Sequence, residues 1–354
     1  MNGEAGPSGA SRRLSRPISL VRENPVLFTI ALATTVSMMG NSAAGPVLPL
    51  FARSFGAGAT VVGVVVGSFG FSRLFVNIPS GIVGEKYGRT ALMAGGLGFM
   101  SFGHLMAGFS GSALELVAWR VVTGVGSAAF MTGAMAYIAD ISTPGNRARL
   151  MSVRQGSLLA GTTFGPLIGG VLGDFAGLQW PFFFAAALTA IGAVWVAVRL
   201  PNRPPSASEG RGRRPEAQSG EETQQGSPTR AMLTNPTFII VAVFGMMIFF
   251  TRSGSRQSIV PLLATEELGM SASLLGVMIF VMTLMNFLTI WPAARLSDRL
   301  GRKATMVPGI AVAAGGLALF AIAPNIPMLF VSAVVMGAGM GVGGVAPQAF
   351  AGDL

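Results

Sequence analysis

The sequence contains no cysteine and a single histidine, His104, among its 354 residues. Disulfide bonds, thiolate metal sites and cysteine nucleophiles are therefore excluded. One histidine forms no histidine metal cluster and makes a Ser-His-Asp triad a poor interpretation. Charged residues are also scarce, at 11% of the chain against about 25% in a soluble domain. These absences argue against an ordinary soluble enzyme, and we expect neither a metal nor an organic cofactor.

Apolar residues dominate instead, at 51% of the chain, with a mean hydropathy of +0.62. A helix that crosses a bilayer needs about 20 mostly apolar residues. Ten stretches meet this requirement, at residues 26–50, 60–82, 91–109, 114–138, 151–172, 181–199, 236–263, 272–294, 305–323 and 327–350. The sequence therefore predicts an all-α, multi-pass integral membrane protein.

Two polar segments interrupt this pattern. Residues 1–24 are rich in Arg, Ser, Gly and Pro and predict a disordered tail. Residues 201–231 have the same character and predict a flexible linker. The linker separates an N-terminal six-helix bundle at 25–200 from four helices at 232–354.

The distribution of basic residues predicts the orientation in the membrane. Nineteen of the 24 basic residues fall on the side of the N-terminus and the linker, and only Arg53 falls on the other side. The remaining four lie within spans: Arg73, Arg120, Arg252 and Arg256. The positive-inside rule then places the N-terminus in the cytoplasm. We interpret the net charge of +10 as topogenic and expect no nucleic-acid partner. Richness in Ala, Gly and Arg indicates a GC-rich bacterial genome, hence the plasma (inner) membrane.

The sequence repeats itself at a shift of 213 residues. The matching pairs are Pro79 and Pro292, Gly88 and Gly301, Arg89 and Arg302, Gly124 and Gly337, Gly126 and Gly339, and Asp140 and Asp353. Parallel repeats are typical of transporters, which place the substrate site between them. Two spans follow Asp140, but the chain stops at Leu354, just after Asp353. We expect either a truncated twelve-helix protein, which we favour, or a ten-helix variant.

One charged motif occurs in both repeats, in the predicted loops after spans two and eight. Its residues are Gly81, Glu85, Lys86, Gly88 and Arg89 in the first copy, and Asp298, Arg299, Gly301, Arg302 and Lys303 in the second. The motif resembles the signature loop of the major facilitator superfamily, although Thr90 and Ala294 depart from the family pattern. The resemblance covers nearly the whole chain from about residue 25.

This resemblance implies a helical bundle of two pseudo-symmetric halves, with six plus four transmembrane helices in this chain. It also implies that the two loops act as conformational gates. A carboxylate at a helix end bonds backbone N–H groups and Arg, and so latches the cytoplasmic ends of the halves in one state. The alternative is that these charges only set the topology.

Spans four and five carry two further patterns. Arg120, Gly124 and Gly126 resemble the family's R-x-x-x-G-x-G element, which implies proton transfer or substrate contact; the alternative is an Arg that snorkels to the interface. The span-five pattern consists of Gly161, Gly165, Pro166, Gly169 and Gly170. It resembles the element of drug/proton antiporters. Glycines four apart share one helix face and allow close backbone approach.

The sequence does not determine the coupling ion. The resemblance implies protons, but Asn41 stands where such exporters often have an acidic residue, and no Asp or Glu lies deep in any span. His104 is a candidate coupling residue because it titrates near neutral pH. Arg252 and Arg256 lie four apart on span seven and indicate either an anionic substrate site or snorkelling at the span's end.

We expect a monomeric secondary active transporter that exports small amphipathic or drug-like molecules by alternating access. No catalytic cluster or phosphate-binding loop is present, so the chain is not predicted to be an enzyme or to use ATP. The alternatives are a nutrient or organic-anion uptake carrier, and a truncated remnant that does not transport.

Overall fold

The computed structural model describes residues 25–143, 145–201 and 254–343. The predicted tail, nearly all of the predicted linker and the first part of predicted span seven lie outside these residues. All regular secondary structure in the described part of the chain is helical. Its helices are α1 (Pro25–Ser54), α2 (Ala59–Tyr87), α3 (Arg89–Gly108), α4 (Ala113–Ile141), α5 (Arg147–Phe175), α6 (Trp180–Arg199), α7 (Val260–Glu266), α8 (Ala272–Leu300), α9 (Arg302–Ala321) and α10 (Ile326–Gly343).

Nine of these helices are long and apolar enough to cross a membrane. They coincide with nine of the ten predicted stretches, which confirms the all-α membrane prediction. The tenth stretch is described only at its end, as a π-helical turn at Ser255–Ile259 that leads into the short α7.

The helices continue beyond the apolar stretches and absorb the predicted charged loops. Glu85 and Lys86 belong to the last turn of α2, and Arg299 belongs to the last turn of α8. The structure thus corrects their placement. An apolar stretch ends at its first charges, but Glu, Lys and Arg are good helix formers and prolong the helix past the hydrocarbon. Each helix then ends at a glycine with positive φ, Gly88 at 95° and Gly301 at 88°.

The sequence repeat is also a structural repeat. A shift of 213 residues carries the bounds of α2 onto those of α8, and the bounds of α3 onto those of α9. Packing repeats as well. A Cβ on Gly124 would meet the backbone of Phe69, and a Cβ on Gly337 would meet the backbone of Met282, which is the residue 213 positions after Phe69.

The first six helices pack around two apolar cores. One core joins α1, α3, α4 and α6 through side chains such as Leu97 and Phe130. The other, near the opposite end of the bundle, includes Val47 and Phe182 and reaches Ala272 at the start of α8. Large apolar side chains such as Ile78 stay exposed on outward faces, as expected where lipid is the solvent.

Candidate functional site

A cavity of about 380 Å³ lies between the two halves of the bundle. Helices α1, α2 and α5 form most of its wall, and the π-helical turn and α8 complete it. The lining residues are Asn41, Ser42, Gly45, Pro46, Val66, Phe69, Gly70, Arg73, Leu74, Asn77, Thr162, Pro166, Gln257 and Ile279. The wall therefore combines apolar side chains with amides, hydroxyls and one guanidinium, as is usual for small-molecule sites.

Arg120 is buried behind this wall. It is 3% exposed, and its Nη1 donates a hydrogen bond to Asn41 Oδ1 at 3.3 Å. Its guanidinium lies 4.7 Å from the centre of the Phe69 ring. Arg120 thus points into the bundle between α1 and α2, and it does not snorkel to the membrane surface.

The Phe69 ring also contacts a second guanidinium, that of Arg73, at 5.7 Å from its centre. Arg73 is partly buried and borders the cavity directly. A third basic residue, Arg154, repels Arg73 electrostatically, and its Nη2 contacts Met131 Sδ at 3.7 Å. Two ion pairs join described residues, Arg53 with Glu266 and Arg89 with Asp140. Neither involves Arg73, Arg120 or Arg154, so this basic cluster has no carboxylate partner among the described residues.

One end of the cavity is closed by contacts between the two halves. Arg53, at the end of α1, donates a hydrogen bond from Nη2 to Glu266 Oε2 at 3.0 Å. Asp174, near the end of α5, accepts hydrogen bonds from the backbone N–H groups of Ala272 at 2.9 Å and Ser273 at 2.8 Å. A carboxylate at this position also interacts favourably with the N-terminal dipole of α8. We call these two contacts the outer latch.

The span-five glycines contact α1. A Cβ on Gly161 would come within 2.5 Å of Thr35 O, and Cβ atoms on Gly165 and Gly169 would meet Ser42 and Ala43 of the same helix. These three glycines therefore serve a contact within the first half, between α5 and α1.

The same helix meets the second half on its other side. A Cβ on Gly170 would meet Ala272, and a Cβ on Gly276 would meet the carbonyl of Pro166. The rings of Phe164 and Phe280 pack beside this contact, tilted at 46° with their centres 5.7 Å apart. Helix α5 thus packs closely on both α1 and α8.

The predicted gate residues at the opposite end are not joined across the halves in the described residues. Arg89 Nε lies 3.4 Å from Asp140 Oδ2, which belongs to the same half. Glu85, Lys86 and Arg299 are exposed. The side chains of Asp298, Arg302 and Lys303 are outside the part of the structure that is described.

His104 does not line the described cavity. His104 is fully buried, and neither ring nitrogen has a hydrogen-bond partner within the described residues. Arg252 and the side chain of Arg256 lie outside the described residues. The described residues also contain no group of three or more His, Cys, Asp or Glu suited to a metal ion.

Sequence reasoning missed the cavity positions of Phe69, Arg73 and Asn77. A signal was present, because Arg73 is a charge inside an apolar span and Asn77 lies one turn further along the same face. It also missed the outer latch. Arg53 and Glu266 are 213 residues apart and so occupy equivalent positions in the two repeats.

Comparison with protein families gives a match over most of the chain. The family model described as Major Facilitator Superfamily matches residues 30–254 and 247–354.

Curated relatives match part of the chain. An uncharacterized MFS-type transporter of Methanocaldococcus jannaschii is 29% identical over 174 residues, which cover 49% of this chain and 45% of the relative. Multidrug resistance protein 2 of Bacillus subtilis is 30% identical over 175 residues, which cover 49% of this chain and 44% of the relative. The alignments thus span less than half the length of these relatives.

Solved structures share the fold. A bacterial homologue of the human lysosomal transporter Spinster, crystallised in an inward-facing and unoccupied conformation, superposes with a TM-score of 0.72 at 18% identity. The superposition covers 92% of this chain and 74% of that one.

Proposed function

Because the chain belongs to the Major Facilitator Superfamily, we propose that it forms part or all of a secondary active transporter that exports small amphipathic molecules. The observation that carries this proposal is the cavity between the two repeats, which is closed at one end by the outer latch. A site between parallel repeats is accessible from alternate sides when one half rocks against the other.

The predicted orientation assigns a direction to this cavity. If the basic helix ends lie in the cytoplasm, the outer latch faces away from it. The cavity is then closed to the outside and loads from the cytoplasm or the inner leaflet, which suits an exporter. Release to the outside requires the contacts of Arg53 and Asp174 with the second half to break. The gate motifs of α2 and α8 then approach each other.

The nature of the cargo is inferred from the wall and from one relative. The wall mixes apolar surface with a few polar groups and so accepts molecules that are partly apolar. The Bacillus subtilis relative is named as a multidrug resistance protein. We transfer from it the class of small drug-like cargo, without a specific compound.

The buried His104 does not fit the role of coupling residue. Its ring is absent from the described cavity wall and has no hydrogen-bond partner in the described residues. A proton carrier must exchange protons with water or with another titrating group. We therefore assign His104 a packing role and keep protons as the proposed coupling ion without naming their carrier.

Dye accumulation in cells tests export. Cells that express the natural full-length protein are expected to accumulate less fluorescent dye than cells that carry an empty vector. Equal accumulation across a broad panel of neutral, anionic and cationic dyes would contradict the proposal.

A pair of tryptophan variants tests whether the cavity carries the function. Thr162→Trp fills the cavity and is expected to abolish the difference in accumulation. Ile191→Trp adds a ring on an outward face that is 63% exposed and is expected to retain export. If Thr162→Trp is expressed at the normal level and still exports, the cavity is not the transport site.

A further inference from the structure

We propose that the cavity selects organic anions, with Arg73 as the group that binds the negative charge of the cargo. This inference rests on the proposed transport function and deepens it by naming the charge of the substrate. Its basis is the basic cluster of Arg73, Arg120 and Arg154 beside the cavity, which no carboxylate neutralises within the described residues.

Without a ligand, the positive charges of Arg73 and Arg120 have no carboxylate partner among the described residues. Arg73 and Arg120 share the ring of Phe69, at 5.7 and 4.7 Å from its centre. An aromatic ring compensates a guanidinium only in part. Cationic side chains inside a membrane protein are costly and usually pair with an opposite charge or with water. A cargo anion supplies that opposite charge.

Arg73 and Arg120 have different roles. Arg120 is 3% exposed and bonded to Asn41, so it is held behind the wall and acts as a positioning residue. It contributes positive potential and holds both Asn41 and Phe69. Arg73 borders the cavity and is only partly buried, so its N–H groups are available to the cargo. A guanidinium matches carboxylate, sulfonate and phosphate groups in a two-bond geometry.

The rest of the wall indicates what the anion is attached to. Phe69, Leu74, Pro166 and Ile279 add apolar surface to the wall of the same cavity. A cavity of about 380 Å³ has room for one small molecule with a ring system and an anionic group. A cationic cargo would meet the potential of the arginines and no carboxylate among the described lining residues.

Two dyes with the same ring system separate charge from shape. Carboxyfluorescein is anionic and rhodamine 123 is cationic, and both carry a xanthene ring. The natural full-length protein in proteoliposomes is expected to transport carboxyfluorescein and to transport rhodamine 123 weakly or not at all. Arg73→Gln is expected to raise the KM for carboxyfluorescein about 10- to 100-fold, the factor for losing a hydrogen bond to a charged group.

Arg199→Gln is the matched control. This guanidinium also stacks on an aromatic ring, that of Trp195 at 4.9 Å, but lies at the end of α6, away from the cavity. It is expected to leave the KM unchanged. Arg73→Lys keeps the charge and is expected to recover part of the affinity, which a purely structural role would not predict. Thermal stability of each variant in detergent identifies any loss caused by misfolding.

Each outcome decides one of the two proposals. Transport of rhodamine 123 without carboxyfluorescein overturns anion selection and leaves export standing. An unchanged KM for carboxyfluorescein in folded Arg73→Gln also overturns it. Transport of neither dye, nor of any compound in a wider neutral panel, overturns the proposed function itself.

Discussion

Removing the carboxylate of Asp174 is expected to open the outer end of the bundle. In the closed state, this side chain accepts hydrogen bonds from Ala272 N at 2.9 Å and Ser273 N at 2.8 Å, across the boundary between the halves. Asp174→Ala removes both bonds and the favourable charge at the start of α8. The helix itself is expected to survive, because Ser271 Oγ still accepts a hydrogen bond from Leu274 N at 3.3 Å.

The size of the effect follows from the capping geometry. Loss of a side chain that caps a helix N-terminus costs about 0.5–2 kcal/mol. Asp174 is exposed to solvent, so we take about 1 kcal/mol from the middle of this range. This energy is lost only in the closed state. The ratio of open to closed molecules is therefore expected to rise about fivefold.

Spin-label distances measure this ratio directly. The sequence contains no cysteine, so labels at Gly111→Cys and Pro324→Cys, on the α3–α4 and α9–α10 connections, need no background substitutions. Double electron–electron resonance on this pair is expected to show a larger long-distance population in Asp174→Ala than in the parent.

A second cap provides the control. Ser112 accepts a hydrogen bond from Glu115 N at the start of α4, entirely within the first half. Ser112→Ala also removes a side chain that caps a helix N-terminus, but it is expected to leave the distance distribution unchanged. If Asp174→Ala leaves the distribution unchanged as well, the carboxylate does not hold the outer end closed and the reasoning fails.

Three further predictions follow from packing. Gly169→Ala is expected to destabilise the protein by about 1–3 kcal/mol because its Cβ meets the α1 backbone. In the control Gly156→Ala, the Cβ meets no atom within 4 Å, and the change is expected to stabilise the protein by about 0.5–1 kcal/mol. A melting temperature of Gly169→Ala equal to or above that of Gly156→Ala would contradict this. Gly126→Ala and Gly339→Ala are equivalent positions whose Cβ atoms meet neighbouring backbone, and both are expected to lower the melting temperature; loss at one alone would mean that packing is not repeated. His104→Leu is expected to keep transport and its pH profile, and a flattened profile with normal expression would restore the coupling role.

The local pattern of the sequence predicted the helices well. Apolar stretches of about 20 residues identify membrane helices because lipid offers the backbone no hydrogen bonds. The helix ends were predicted less well, since the hydropathy pattern stops at Glu85 or Arg295 while the helix continues to the next glycine.

The sequence did not predict which neighbour, lipid or another helix, each helix face contacts. Lipid is as apolar as the core, so the hydropathy pattern does not separate a face that contacts lipid from one that contacts another helix. The span-five glycines illustrate this. Their spacing predicts close approach, but the structure was needed to identify α1 as the partner of Gly165 and α8 as the partner of Gly170.

The sequence by itself determined the membrane class, the repeat of 213 residues and the resemblance to the superfamily, because each depends on residues close together in the chain or at one constant shift. Only the tertiary structure decided which side chains share a site. Arg120 and Asn41 are 79 residues apart, and Arg53 and Glu266 are 213 apart. Such contacts arise when helices from distant parts of the chain pack side by side, and their residues carry no local signal of the partner they meet.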